Sequence, residues 1–345
     1  QPRSRGLGDV YKRQIKMKKY KDLKAVCFVD STYTMLIYML VYGKEQFDKT
    51  FFFISDAFSS EFQSKLKYKE FLSYVKMTSQ PFVLRVLCRF WLKCTAYMKW
   101  PFLCTLPIFG QDHLWYTPAL LRKRSMVVIE DGLANYIESA LVRPSTMKHK
   151  WLYRLLFGSS MCYGEYGNSK YASQVVLTGA MGSIPACLKE KAILVDIRKL
   201  WETCDYKDYI LDMFSFNKEE IEKLREKKVI ILAQPFNQGV GDEVMREIYQ
   251  GIINQYNAED VVIKTHPRDT MDYRGMFPDV MVYSKKMPAE LFSLIGLYFT
   301  DAYTINSTSI FSFPKECKKH LLGFKCHPEL LNVYGQFEIE ELNPN

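Results

Sequence analysis

"VIILAQPFNQGVGDEVMREIYQGIINQYNAEDVVIKTHP", residues 229–267, decides the fold. Its two ends, 229–235 and 260–267, are short apolar runs rich in β-branched residues. They read as buried strands. Between them, 242–256 places Val244, Ile248, Ile252 and Tyr256 at helical spacing. That stripe makes a helix that packs on a sheet. Upstream, "NKEEIEKLREKK" (217–228) predicts a charged helix. Asn217 can cap it, and Glu220 three residues on suits a capping box. Downstream, Met287-Pro288-Ala289-Glu290 opens a further helix, "GLYFTD" (296–301) reads as a strand, and "NSTSIFSF" (306–313) as the start of another helix. Strand and helix alternate through this half, which makes a doubly wound α/β unit.

The first half repeats the logic less densely. "AVCFVD" (25–30) predicts a strand with a helix from Thr32. "TFFFIS" (50–55), "MVVIE" (126–130) and "AILVD" (192–196) predict three more strands, the last closing this half. There is no internal repeat and no low-complexity linker. Two domains are expected, 15–205 and 206–345, with the boundary inside 198–217. Residues 81–100, "PFVLRVLCRFWLKCTAYMKW", are apolar at helical spacing with Arg85, Arg89, Lys93 and Lys99 interspersed. The plain reading is a core-facing helix with a solvated basic face. The alternative is a surface helix that leans on anionic lipid.

Composition narrows the class. The chain has 345 residues, 48% hydrophobic and 15% aromatic, which suits a well-packed protein of two domains. No apolar run approaches the roughly 20 residues that span a bilayer. The nearest is Met35 to Tyr42, and no signal peptide is evident. Nine cysteines include no Cys-x-x-Cys pair, so they are expected to be reduced and mostly buried in a cytoplasmic protein. Ser4 to Gln14, "SRGLGDVYKRQ", reads as a translated sequencing adapter, and residues 1–14 are set aside with Met17 as the expected start. The net charge of +9 then becomes +6, since four basic residues and one acidic residue leave with that segment. A mildly basic chain suits an anionic substrate or a membrane surface.

Ligands of open parallel sheets bind beyond the carboxyl ends of the strands. Four polar clusters fall there: Glu130-Asp131-Gly132, the Gln234–Asp242 loop, His266-Pro267-Arg268, and Asn306-Ser307-Thr308-Ser309. Each alone has an ordinary explanation. Asp and Gly suit tight turns, proline ends a strand, and "NSTS" suits a helix cap. Together they outline an anion site: hydroxyls and N–H groups at a helix tip, with His266 and Arg268 nearby for a phosphate. Glu290 either favours its helix dipole or accepts from ribose hydroxyls. The chemistry suggested is that of nucleotide sugars, with carboxylates of the first half taking a proton from an acceptor hydroxyl. No Asp-x-Asp occurs, so a metal clamp on a diphosphate is not expected.

"IEDGLANY", "IKTHPRD", "MPAELF" and "LYFTDAYTINSTSIF" stand in the order and spacing seen in bacterial sialyltransferases. Over about 105–315 the chain resembles glycosyltransferase family 52, the lipooligosaccharide sialyltransferases, and "AQPFNQGVGDE" resembles that family's loop before its His-Pro strand. The resemblance implies a GT-B fold, two Rossmann-like domains facing across a cleft. It implies inverting transfer from CMP-sialic acid to a terminal galactoside of a surface glycolipid or capsule. His266 would then contact the departing phosphate. Ser307 and Thr308, with Asn306, Ser309, Arg268 and Gly132 around them, would hold that phosphate or the sialic acid carboxylate, and Glu290 the ribose. Asp242 matches the position of the general base in the lipooligosaccharide enzymes. In related sialyltransferases the base lies in the acidic-acidic-Gly motif, here Glu130 or Asp131. Both assignments stay open.

The expected partners are a nucleotide-sugar donor, a glycan or glycolipid acceptor, the inner membrane surface and a second copy of the chain. No cofactor or metal is expected, and no nucleic-acid motif is present. The rival readings are a glucosyltransferase of surface polysaccharide and a nucleotide-binding protein without catalysis.

Overall fold

In the computed structural model, residues 20–142, 148–179 and 182–335 are described; the adapter-like segment and Met17 lie outside them. Two all-parallel sheets organise the chain. The first holds β1 (Ala25–Val29), β2 (Thr50–Ile54), β3 (Lys69–Phe71), β4 (Ile108–Gly110), β5 (Met126–Ile129), β6 (Ala172–Leu177) and β7 (Ala192–Leu194). Their spatial order is β3-β2-β1-β4-β5-β6-β7. The second holds β8 (Val229–Leu232), β9 (Val261–Lys264), β10 (Met281–Tyr283), β11 (Asp301–Thr304) and β12 (Lys318–Leu321), in the order β10-β9-β8-β11-β12. Every residue of β1, β2, β8 and β9 is buried. Helices cover both faces of each sheet, which is why these strands read as continuous apolar runs.

Both sheets reverse direction of growth at their centre, between β1 and β4 and between β8 and β11. A crevice opens at each such switch point. The strand ends there carry Asp30, Gln111 and Asp131 in one lobe and Gln234, His266 and Asn306 in the other. β4 is pinned against β1 by Gly110, whose φ of 109° is in the glycine-favouring region. A Cβ there would lie 2.0 Å from the Phe28 carbonyl oxygen.

The chain passes between lobes at Ser215, a non-glycine residue with φ 57°. Phe214 packs on Phe62 of the first lobe at 5.1 Å between ring centres, and Phe216 on Tyr283 and Phe292 of the second at 6.0 Å. Tyr206 and Tyr209 still bond to the first lobe, through the Met39 carbonyl and the Asp48 carboxylate. Asn217 caps the Lys218–Arg225 helix as its sequence implies, accepting from the Glu220 N–H at 2.8 Å. The Glu220 carboxylate instead pairs with Lys285 at 2.6 Å.

Several expectations need correction. The strand expected at 296–301 begins only at Asp301, where pairing with Val229 starts. Leu297 and Phe299 before it are buried, so their apolar signal comes from packing and not from a ladder. "NSTSIFSF" forms a single 3₁₀ turn, Thr308–Ser312, not a helix. The Asp242–Ile253 helix buries Val244, Met245, Tyr249, Ile252 and Ile253, a stripe rotated from the expected one. Of the nine cysteines only Cys27, Cys162 and Cys317 are buried, because several of the others sit on open helices and loops; all are free. The Phe82–Lys99 helix forms but buries only Ala96, so it is not core-facing. No helix among the described residues is long and apolar enough to cross a membrane.

Candidate active site

A cavity of about 310 Å³ lies between the lobes. Asp30, Tyr33, Asp131 and Gly132 line it from the first lobe, and Gln234, Lys264, His266, Arg268, Glu290 and Asn306–Ser309 from the second. Its volume is in the range of small-ligand sites. Asp131, Gly132, His266, Arg268, Glu290, Asn306, Ser307, Thr308 and Ser309 therefore share one space, as the four clusters suggest. Asp242 stands apart: it is exposed at the start of its helix and accepts from the Asn237 side chain at 2.8 Å.

Glu130 and Asp131 are adjacent but have different surroundings. Glu130 is fully buried and does not line the cavity. Its oxygens accept from the Tyr136 hydroxyl at 2.9 Å, the Thr178 N–H at 2.5 Å and the Thr178 hydroxyl. Burial pushes this carboxyl up to about 7, against the opposing pull of those donors. The consequence for stability has a definite sign. A carboxyl whose folded pKa exceeds its unfolded value makes the folded state bind more protons. The contribution of Glu130 to stability is then fully present below about 4.5 and is lost as pH rises through about 7. Thermal melts between pH 5 and 8 should show this fall, and Glu130→Gln should flatten it. An unchanged slope in the variant would exclude Glu130 as its source.

Asp131 faces the cavity. The Gln111 side chain donates to one of its oxygens, and His113 Nε2 stands 3.4 Å from the other. His113 is itself stacked on Tyr166 at 4.2 Å, and Asp112 pins that loop by accepting the Tyr166 and Gly167 N–H groups at 2.7 and 2.9 Å. Asp131 is thus a carboxylate held in one orientation by two side chains. Gly132 follows with φ 131°, a region that side chains avoid, and the site for a Cβ is 3.6 Å from Thr308 Oγ1 on the other lobe.

The second lobe supplies donors. The backbone N–H of Arg268 donates to His266 Nδ1 at 3.1 Å. Nδ1 is therefore the acceptor, and Nε2 carries the proton. Burial first, then the charges of Arg268, Lys264 and Lys286, bring His266 down to about 4, so the ring is neutral at pH 7. Lys264 is buried on the floor, donates to the Thr265 carbonyl at 2.8 Å and is lowered by burial to about 8. Glu290 is raised by burial and accepts from the Ser309 hydroxyl at 2.7 Å. The Gln234 amide holds the Asn306 backbone on both sides, accepting its N–H at 2.6 Å and donating to its carbonyl at 2.8 Å. That clamp fixes the 306–309 turn without a helix cap.

Several polar contacts join the lobes, among them Lys286, which donates to the Asp56 carbonyl at 2.7 Å, and the pair of half-exposed Arg268 with buried Asp30. Arg268 donates to Asp30 at 2.8 Å, and Asp30 also accepts the Ala57 N–H. Burial raises the Asp30 carboxyl although Arg268 opposes it. Asp30, Gln111 and His113 were not singled out from sequence. Asp30 ends a recognisable strand, so it was open to the same strand-end argument as Asp131. Gln111 and His113 follow a three-residue strand too short to register.

The model for glycosyltransferase family 52 matches residues 38–328. A Haemophilus influenzae protein of uncharacterised function is 33% identical over 237 residues, 68% of this chain and 73% of that one. The fold is similar to that of a 2,6-sialyltransferase from Photobacterium sp. JT-ISH-224, solved with CMP and lactose. The TM-score is 0.58 at 13% identity, over 90% of this chain and 74% of that one. An α/β-galactoside α-2,3-sialyltransferase from Photobacterium phosphoreum gives 0.53 at 13% identity, over 92% and 96%. The two facing lobes are a GT-B fold.

Proposed function

The chain belongs to glycosyltransferase family 52, and from that premise we propose that it moves sialic acid from CMP-sialic acid to a terminal galactoside of a bacterial surface glycan, with inversion. It is a glycosyltransferase; the donor, acceptor and stereochemistry are the proposal. The observation that carries it is the shared cavity, with an oriented carboxylate on one wall and a cluster of neutral and cationic donors on the other. In the proposed reaction an acceptor hydroxyl attacks the anomeric carbon as the bond to CMP breaks. Asp131 takes the hydroxyl proton. Negative charge grows on the departing phosphate, and His266 Nε2–H and the Ser307 and Thr308 hydroxyls stabilise it there more than in the bound donor. Glu290 accepts from the ribose hydroxyls. The Lys264 ammonium below completes the positive field, so the reading asks for no metal or cofactor. The structural similarity to a sialyltransferase solved with CMP and lactose supports these ligand classes.

Titration calorimetry tests the donor. CMP should bind at least tenfold more tightly than UDP, and CMP-sialic acid should be consumed with lactose as acceptor. Tighter binding of UDP would favour a glucosyl donor and end the sialic acid reading.

A further inference from the structure

The Phe82–Lys99 helix is amphipathic in the reverse sense. Its inward side carries Arg85, Arg89 and Lys93, all partly buried, while Val83, Leu87, Trp91 and Met98 form a stripe at helical spacing that points away from the protein. Phe82 is 71% exposed, Trp91 70% and Met98 74%. The Lys150–Leu156 helix lies alongside, tied on by Lys93, which donates to the Arg154 carbonyl at 3.0 Å. It adds Trp151, 67% exposed, and Leu155 to the same apolar surface.

Lys99 at the end of the helix pairs with Glu70 at 2.5 Å, but most of the cations around this surface are not neutralised. Arg122 donates to the Lys93 carbonyl at 2.7 Å and lies over the Tyr97 ring. Arg124 donates to the carbonyls of Leu103 and Leu106, Arg154 lies over Tyr163, and Arg89 over Phe157. Carbonyls and ring faces hold a guanidinium in place without cancelling its charge. None of Arg85, Arg89, Lys93, Arg122, Arg124 and Arg154 forms an ion pair among the described residues. Burial and the neighbouring Arg85 both disfavour the charged form of Arg89, and a nearby anion would relieve that cost.

From this arrangement we propose that the outer face of the Phe82–Lys99 and Lys150–Leu156 helices docks on an anionic lipid bilayer. Tryptophans and aliphatic residues enter the interface while the flanking cations meet lipid phosphates. Charge complementarity selects this occupant over a second copy of the chain, whose matching face would bring the same uncompensated cations into contact. The surface also leads to the cavity. Tyr74 and Val75 continue the exposed apolar strip, and the Tyr74 ring lies 5.6 Å from the guanidinium of Arg268, a cavity residue. A docked protein would hold its cleft beside the membrane, where a lipid-linked acceptor is presented.

The test is sedimentation of the full chain with phosphatidylglycerol–phosphatidylcholine vesicles against pure phosphatidylcholine, with size exclusion in parallel. Binding should need the anionic lipid, weaken roughly tenfold between low and high salt, and bring Trp91 and Trp151 within reach of quenching by brominated lipid. The triple variant Leu87→Ser, Trp91→Ser, Met98→Ser should lose at least tenfold in vesicle affinity. It should keep wild-type turnover of a soluble galactoside, since none of these residues lines the cavity. Absence of vesicle binding, or undiminished binding by the variant, overturns the proposal. So does a dimer that the variant dissociates without any vesicle binding by the parent, which would make the face a self-interface. Vesicle binding is read without donor or acceptor, so docking can stand even if the sialic acid reading falls, and the reverse.

Discussion

His266→Ala should lower kcat/KM for the proposed sialyl transfer by about 10²–10³, or about 2.7–4 kcal/mol of transition-state stabilisation, with the thermal midpoint little changed. The size follows from what the ring does. The ring accepts one hydrogen bond, from the Arg268 N–H, which leaves the Nε2–H free as a donor, and the residue lines the cavity. Truncation therefore removes one preoriented donor and little packing. In the proposed transfer the departing CMP phosphate needs no full proton, because a phosphate monoester has its second pKa at about 6. A neutral Nε2–H is enough, and His266→Asn, which places an N–H in similar space, should recover part of the loss. The pH profile separates this from proton transfer by an imidazolium. With His266 lowered to about 4, the neutral ring predominates from pH 5 upward. The profile of kcat/KM, which reports the free enzyme, should then show no limb near the ordinary histidine value. Full activity in a folded His266→Ala enzyme, or a fall in rate through pH 6.5 that the alanine variant abolishes, would refute the donor role.

The sequence was most informative where one physical demand acted alone. β1, β2, β8 and β9 are buried on both faces, so their composition is set by burial and they stand out as apolar runs. β3, β4, β7 and β10 are three residues long, β7 being legible only within the longer run 192–196, and β12 is half exposed. No periodicity can be read from segments so short, and Gln111 and His113 were hidden with β4. The strand-end argument brought together His266, Asp131 and the 306–309 turn, because parallel topology fixes where side chains after a strand must go, while Glu290 was read from its place at a helix start. It could not separate Glu130 from Asp131. Their difference lies in the alternation of consecutive residues at a strand end, which turns Asp131 to the cavity and leaves Glu130 among Tyr33, Tyr136 and Thr178. The Phe82–Lys99 helix misled for another reason. Hydrophobic spacing identifies the apolar side but not what it faces, and here that side faces outward.

Asp131→Asn should lower kcat by about 10²–10⁴ while CMP affinity stays within a few-fold of the parent. The argument is geometric. A base must reach the acceptor hydroxyl on the side of the sugar away from the departing phosphate, and Asp131 stands on the wall of the cavity contributed by the lobe opposite His266. Gln111 and His113 fix its orientation, so its oxygens do not spend time in unproductive rotamers. Asparagine is nearly the same size and can still accept from Gln111, so the fold and the phosphate site on the other lobe are undisturbed and the loss appears in kcat. Asp242→Asn is the necessary companion. That carboxylate is exposed and bonded to Asn237, outside the cavity wall, so its loss should leave turnover within a few-fold of wild type. If Asp242→Asn were instead the crippled enzyme and Asp131→Asn the active one, the base would have to reach the acceptor from the Gln234–Asp242 loop. The two lobes would then have to meet in another arrangement during turnover.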